Sequence, residues 1–251
     1  MAPVEQYSFD AHLREEDRQL FHHDPRSWQS KHIRARDDIV RDLKRNGYID
    51  YDDLEYYDEG LYFFGEMTGT IVDDASTATV ELEFSASGGS LTVPEGTWVY
   101  DADPAVDSER YGAVVFETDA ALTVPGGQTD TVEATAEHPG EVYNVGPDVL
   151  TYPDASLSHF DGVTNAAAAT GGADHQLARV SVYRALALIY RDLVAEEGDT
   201  FDYKRKLYED YYHEELDRQM AAGIKIDVDG DGQANDHEES LEHGGVRLYR
   251  S

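Results

Sequence analysis

The sequence predicts an α+β protein: a discontinuous helical bundle carrying an inserted antiparallel β domain of sandwich or barrel-like form. Three observations predict it. Between residues 66 and 172 the hydrophobic period is two, with Gly or Pro punctuation between short strands. On both sides of that stretch the period returns to 3.6. None of the flanking helices can bury its apolar face alone, so the simplest solution packs them together around a guest β domain. An insertion of this kind is tolerated where the host's entry and exit points lie close together.

Taken in order, residues 1–65 are read as the N-terminal part of the helical bundle. Residues 30–45 (SKHIRARDDIVRDLKR) place Ile33, Val40 and Leu43 on one face, and Asn46-Gly47 ends the helix. The acidic, tyrosine-rich stretch 50–62 (DYDDLEYYDEGLY) reads as a second short helix capped near Asp50, or else as an exposed segment presented to a partner. From residue 66 the alternation begins. Val80, Leu82 and Phe84 alternate with Glu81 and Glu83, the pattern of a half-buried strand. Leu91 and Val93, Trp98 and Tyr100, Val114 and Phe116, Leu122 and Val124, then Val132, Ala134 and Ala136 continue it. Turn signals fall between them at Gly88-Gly89, Pro94-Glu95-Gly96, Pro125-Gly126-Gly127 and Pro139-Gly140. Strands this short and this evenly spaced suggest a sandwich or small barrel. Residues 173–225 carry the later helices. Ala178, Val182, Ala185, Ile189 and Leu193 stripe a helix over 173–195, Gly198-Asp199 breaks it, and Phe201, Tyr208, Tyr212, Leu216 and Met220 align on a helix over 201–220. Residues 226–251 read as a cation-binding loop and a C-terminal docking arm.

Composition narrows the function. The 251 residues hold 52 Asp+Glu against 20 Lys+Arg, a net charge of -32 at pH 7. The lysines are Lys31, Lys44, Lys204, Lys206 and Lys225. Acid spread along the chain rather than packed in one tail indicates a solvated surface. Concentrated salt shortens the Debye length to about 3 Å at 1 M and relieves the self-repulsion, so the surface reads as adaptation to a salt-rich cytoplasm. The 40 % apolar residues and 17 Tyr argue against disorder. There are no cysteines, which excludes disulfides and thiolate metal sites. The first residues, MAPVEQYSFDAHLREED, lack a basic start followed by an apolar run and predict no signal peptide. No apolar stretch approaches the roughly 20 residues of a spanning helix, so no membrane partner is expected.

The sharpest local motif runs from Asp227 to Glu238. It fits D-x-D-x-D-G with Glu at loop position twelve. Hard cations need several converging oxygens, which Asp227, Asp229, Asp231, Gln233 (through its carbonyl), Asn235 and Glu238 would supply, while Gly232 permits the sharp turn. Ca²⁺ is the expected ion, with Mg²⁺ or Na⁺ as competitors in a salt-rich cell. A single such loop suits a structural clip better than a sensor, because sensors rearrange paired helices. Other motifs carry less. His213-Glu214-Glu215-Leu216 lacks the second histidine of a zinc protease, and His22-His23 sits in a polar stretch. No G-x-S-x-G or P-loop is present, and no nucleophile–base pair stands out, so an enzyme is not expected. A chain this negative repels phosphate, so Tyr56-Tyr57, Tyr208 and Tyr211-Tyr212 read as packing or subunit-interface residues rather than base-stacking platforms.

Two resemblances follow from named residues. Pro94-Glu-Gly-Thr97, Phe116-Glu-Thr118, the run Val132 to Val145 (VEATAEHPGEVYNV), Gly162-Val-Thr-Asn165 and Thr170-Gly-Gly172 resemble the baseplate J-like domain of phage and contractile-injection tails. That resemblance implies a structural module making contacts within a tail. The helical parts look like head–tail adaptor proteins of tailed viruses, through Ile33 to Leu43 (IRARDDIVRDL), Arg184 to Leu193 (RALALIYRDL), Asp199-Thr-Phe201 with Lys204-Arg-Lys206-Leu-Tyr208, and Ile224 to Gly232. It implies a ring, usually twelve-fold, beneath a portal, with a tail or stopper protein docked on it. Typical adaptors lack so large a β insertion.

The combined expectation is a structural virion protein of a virus infecting a salt-loving host, assembled in the host cytoplasm and placed at the head–tail interface. DNA would pass through its acidic lumen without specific binding, because counterion-release binding needs cationic side chains. The β domain would brace capsid or surface proteins, neighbouring copies or the tail. Val246, Arg247, Leu248, Tyr249 and Arg250 form a basic, aromatic end expected to dock into the portal. The alternatives are a baseplate or tail-hub component, and a cellular calcium-dependent adhesion or scaffold module.

Overall fold

The computed structural model describes residues 6–45, 70–71, 74–106, 110–154 and 156–227. The chain divides into two units. One comprises Ser8–Gln29 with Ala75–His175, and the other Met1–Tyr7, Ser30–Asp74 and Gln176–Ser251.

The first unit is built on antiparallel strands. These are β2 (Thr77–Ala86), β3 (Leu91–Val93), β4 (Trp98–Tyr100), β5 (Val115–Thr118), β6 (Leu122–Val124), β7 (Thr129–Pro139), β8 (Tyr152–Pro153) and β9 (Phe160–Thr164). Six of them form one barrel-like sheet in the order β8-β4-β5-β7-β2-β9, and β3 pairs separately with β6. The long central pair sets the register, with Val80 opposite Ala134 and Leu82 opposite Val132. Ala78, Val80, Leu82, Phe84 and Ala86 are all buried while Thr77, Thr79 and Glu81 face out, as the period-two pattern requires. Their core is completed by Leu91, Val99, Phe116, Val124, Tyr143, Leu150 and Val163. Each large apolar side chain buried here contributes roughly 1.5–3 kcal/mol. The expected phase fails in one strand: Trp98 is 37 % exposed, whereas Val99 and Tyr100 are buried. β4 lies between β5 and the two-residue β8, so its burial is set by how far its neighbours extend rather than by alternation.

Two short helices, α1 (Asp10–Glu16) and α2 (Leu20–His23), belong to this same unit. The reading of 1–65 as wholly part of the helical bundle therefore differs from the structure. Ala11 joins the barrel core, Arg14 pairs with Asp101 at 3.0 Å, and Phe9 stacks on His138 with centroids 4.1 Å apart. These contacts are invisible to a helical periodicity that spans less than two turns.

In the second unit, α3 (Gln29–Arg45), α4 (Ala178–Leu193) and α5 (Thr200–Ala222) account for most of the described residues. A two-residue β1 (Thr70–Ile71) pairs with β10 (Ile226–Asp227). α4 is the central rod: Val180, Val182, Tyr183, Leu186, Leu188 and Tyr190 are all buried, so it is apolar on more than one face. Arg184 on α4 bonds the buried Asp38 of α3 through Nε and Nη2 at 2.7 and 2.6 Å. Tyr212 of α5 donates its hydroxyl to Asp42 of α3 at 2.6 Å, and Lys31 pairs with Asp192. Tyr190 stacks on Phe201 and Tyr208 with centroids 6.0 and 5.8 Å apart.

Three details differ from the periodicity. The buried face of α3 is Ala35, Asp38, Ile39 and Leu43, while Ile33 is 38 % exposed and Val40 half-buried. The Arg184 ion pair makes Asp38 a core residue, which rotates the packed face away from Ile33. α4 starts at Ala178 instead of residue 173, because Ala173 is held in a bridge to Ser76 and Asp174 accepts hydrogen bonds elsewhere. α5 begins one residue earlier than expected, with Asp199 capping it through a bond from the Asp202 N–H at 2.7 Å.

Candidate functional site

The motif residues of the β unit turn out to be its joints. Pro94-Glu-Gly-Thr97 and Phe116-Glu-Thr118 form one hydrogen-bonded knot. The Pro94 carbonyl accepts from both threonine hydroxyls, Thr97 at 2.8 Å and Thr118 at 3.0 Å. The Thr97 N–H donates to Thr118 Oγ1 at 3.0 Å, and the Gly96 N–H to the Thr118 carbonyl at 2.9 Å. Gly96 sits at φ +78, which is why a glycine occupies that turn. Thr97 and Thr118 are buried, so each hydroxyl needs its partner.

Asn165 closes the second joint. It is fully buried, and its amide makes four bonds. Its oxygen accepts from the Val149 and Leu150 N–H groups at 3.0 and 2.9 Å. Its nitrogen donates to the Gly146 and Ala167 carbonyls, both at 2.8 Å. One side chain thereby satisfies backbone groups from two loops, the stretch 146–150 and the one around Ala167. Asn144 makes a reciprocal pair with the Gly172 backbone at 2.8 and 2.9 Å, and a Cβ on Gly172 would lie 2.4 Å from the Gly140 carbonyl oxygen. The glycine is there because two backbones touch.

The third joint ties α1 to the barrel. His12 Nδ1 accepts the Phe9 N–H at 3.1 Å, so Nε2 carries the proton and donates to Asp174 Oδ1 at 3.2 Å. The same Asp174 oxygen accepts the Glu141 N–H at 2.6 Å. Burial would raise the Asp174 carboxyl, but the His12 and Glu141 donors outweigh it and hold it below the usual carboxylate range. Burial pushes the Tyr143 phenol up, helped by the nearby Glu137 and Asp10 charges, so it stays neutral. Beside this joint, α1 and α2 and the barrel rim enclose a cleft of about 610 Å³ lined by Arg14, Arg18, Val142, Val145 and Tyr152, among others.

Around the point where the β unit is inserted, the ends of the host segments are tied to each other. In the helical unit Asp74 accepts the Gln176 N–H at 3.0 Å and pairs with Lys225 at 2.9 Å, while the Gln176 amide bridges the Lys225 backbone. In the β unit, Ser76 and Ala173 exchange backbone bonds at 3.0 Å.

Of the expected cation ligands, Asp227 lies in β10, opposite Thr70. Asp229, Asp231, Gln233, Asn235 and Glu238 lie outside the described residues, as do the docking residues Val246, Arg247, Leu248, Tyr249 and Arg250 and the 50–62 segment. Tyr208 and Tyr212 are buried in the helical unit, and Tyr211 is 39 % exposed. The residues that sequence reasoning missed are Asp174, His12 and the two cleft arginines. Nothing in their local sequence marks them: His12 and Asp174 meet across 162 positions, and Arg14 and Asp101 across 87.

Residues 79–172 match the family model described as the Baseplate J-like protein barrel domain. Among solved structures, the chain is similar to one from the cryo-EM structure of the anti-feeding prophage (AFP) baseplate, 6-fold symmetrised. The identity is 10 % and the TM-score 0.35, over 46 % of this chain and 38 % of that one. The chain thus spans about two fifths of the length of the protein it aligns with. A comparison with curated proteins gives no match. The family match falls within the β unit, Ala75–His175.

Proposed function

We propose that this chain is a structural subunit of a tailed-virus particle, in which the barrel makes contacts with neighbouring proteins and the helical unit builds a ring. The observation that carries the reading is the match over residues 79–172, whose motif residues are the hydrogen-bonded joints of the barrel. These are groups that hold loops in place, and the reading assigns the chain no catalysis. The finer placement is a head–tail adaptor beneath a portal, with tail or stopper protein on its other side and DNA sliding through an acidic lumen. Its support is the helical resemblance and the net charge of -32. In this reading the ring is twelve-fold, the host is halophilic, and the 246–250 end docks into the portal. The oxygen-donor set of Asp227, Asp229, Asp231, Gln233, Asn235 and Glu238 suits a hard cation, expected to be Ca²⁺, that clips the C-terminal segment.

A second placement, in the baseplate or tail hub, is favoured by the family match itself. Images of purified particles carrying an antibody against the barrel unit separate the two. Label at the neck supports the adaptor, and label at the distal end of the tail supports the baseplate. Particles that carry no label at either place, although the protein is expressed, would end the structural reading.

A further inference from the structure

Unlike charges are sorted onto different elements of this chain. α3 holds six of the 20 Lys+Arg within its 17 residues, against three carboxylates. Those carboxylates already have partners. Asp38 accepts Arg184 on one oxygen, at 2.7 and 2.6 Å, and Arg41 on the other, at 2.7 Å. Asp42 accepts the Tyr212 hydroxyl at 2.6 Å, and Asp37 is held by Arg36 at 2.6 Å. Arg34 and Arg45 approach Asp38 and Asp42 at 3.7 and 3.6 Å, with side chains 61 and 71 % exposed. Arg34, Arg41, Arg45 and Arg184 thus share two carboxylates, which leaves a surplus of positive charge along the exposed side of α3. Glu209 of α5 does not cancel it, because Arg184 and Arg205 share that group.

The outer face of the barrel has the reverse bias. No strand from β2 to β9 contains a lysine or arginine, and Arg110 is the single one between residues 75 and 175. Glu81 of β2 lies directly opposite Glu133 of β7, both exposed, and the register puts Glu83 and Glu117 on the same face. Like charges directly opposite one another destabilise a sheet, and a cationic surface laid over them relieves the cost. The dimensions agree. Arg34 and Arg45 are about 16 Å apart along a helix, and Glu83 and Glu117 are about 16 Å apart on the diagonal across β2, β7 and β5.

We propose that the arginine stripe of α3 in one copy docks on the Glu81–Glu133 face of the barrel in a second copy. The proposal rests on the ring reading and names its contact. A chain of net charge -32 meets its own copy against repulsion, so association needs a place where unlike charges touch. Arginine forks take carboxylates in paired bonds, which fixes orientation as well as attraction. Because the two faces differ, the contact is head-to-tail, the kind that closes into a ring.

Sedimentation equilibrium of the full-length protein in about 1 M KCl reads the association under conditions where only charges in direct contact still act. Wild type is expected to self-associate. Arg34→Glu with Arg45→Glu weakens this at least tenfold, as does Glu81→Arg with Glu133→Arg. The barrel variant is less negative than wild type, so general repulsion alone predicts the opposite change there. An equimolar mixture of the two variants associates as wild type does, since each offers the other a complementary face. All four positions are exposed, and unchanged thermal melting confirms that each variant is folded. A wild type that stays monomeric at its highest soluble concentration overturns the proposal, as does wild-type association by either variant alone. Should the α3 variant keep its self-association but lose binding to duplex DNA, the occupant is nucleic acid and the proposal falls. If association behaves as expected but particle images show no ring, the contact stands and the ring reading fails.

Discussion

Single residues do disproportionate structural labour in this chain because several polar groups are buried with full complements of bonds. Asn165 is the clearest case. Asn165→Leu would leave two N–H groups and two carbonyls without partners, and each orphaned buried group costs roughly 1–3 kcal/mol. Urea unfolding of this variant is expected to show a loss of about 3 kcal/mol or more. Asp38 plays the equivalent role among the helices. Burial would raise its carboxyl, but Arg184 and then Arg41 outweigh that and hold it below the usual range. Removing it in Asp38→Ala strands Arg184 in a half-closed site, and the expected loss is about 3 kcal/mol by chemical denaturation.

Titration follows from the same residues. Asp202 is depressed to about 2, first by the Lys206 hydrogen bond, then by Arg205 and the Gly198 N–H. A carboxylate whose folded pKa lies below its unfolded value of about 3.9 adds stability above that pH and loses it as the pH falls through the folded value. Asp38, Asp174 and Asp202 therefore act together, and stability is expected to fall between about pH 4 and about pH 2. Glu137 works in the opposite sense: burial and then Glu117 raise it, so its contribution is present at low pH and lost as the pH rises through its folded value. An unfolding midpoint that stays flat from pH 5 to pH 2 would contradict the dominance of the depressed group. Asp202→Asn should flatten the acid limb.

At the scale of elements, the α1–barrel joint is the sensitive point. Gly140 lies at φ +143, and a Cβ there would sit 2.6 Å from His12 Nε2. Gly140→Ala is expected to push His12 off Asp174 and loosen Ser8–Gln29 while leaving the strands paired. Hydrogen exchange should show faster exchange over α1 and α2 and unchanged protection in β2 and β7. Equal loss in β2 and β7 would mean that the N-terminal helices are integral to the barrel. The strands themselves were readable from sequence because their side chains alternate against one core. The membership of α1 and α2 was not, since they are too short to show a face and their anchors lie at Asp101, His138 and Asp174.

For the whole molecule, charge dominates. A net charge of -32 repels itself over about 10 Å at 0.1 M salt and about 3 Å at 1 M. The melting temperature is expected to rise steeply with KCl across this range, measured by differential scanning calorimetry. A melting temperature independent of salt would remove the case for a halophilic host. Chelation tests the other proposal at this scale: Ca²⁺ should raise the melting temperature, and Asp229→Asn with Asp231→Asn should abolish that rise.

What the amino-acid order determined by itself was the alternation of periods, hence strands between helices, and the glycines and prolines that punctuate them. Those signals are local, because side-chain direction repeats every two or 3.6 residues whatever the chain does later. It also displayed the motif residues without their purpose. Only the tertiary structure decided that Thr97 and Thr118 share one carbonyl, that Asn165 serves two loops, and that Arg14 of α1 pairs with Asp101 of the barrel. Such partnerships join positions far apart in the chain, and a carboxylate or guanidinium acquires its role only when folding chooses its neighbour and withdraws water from the pair.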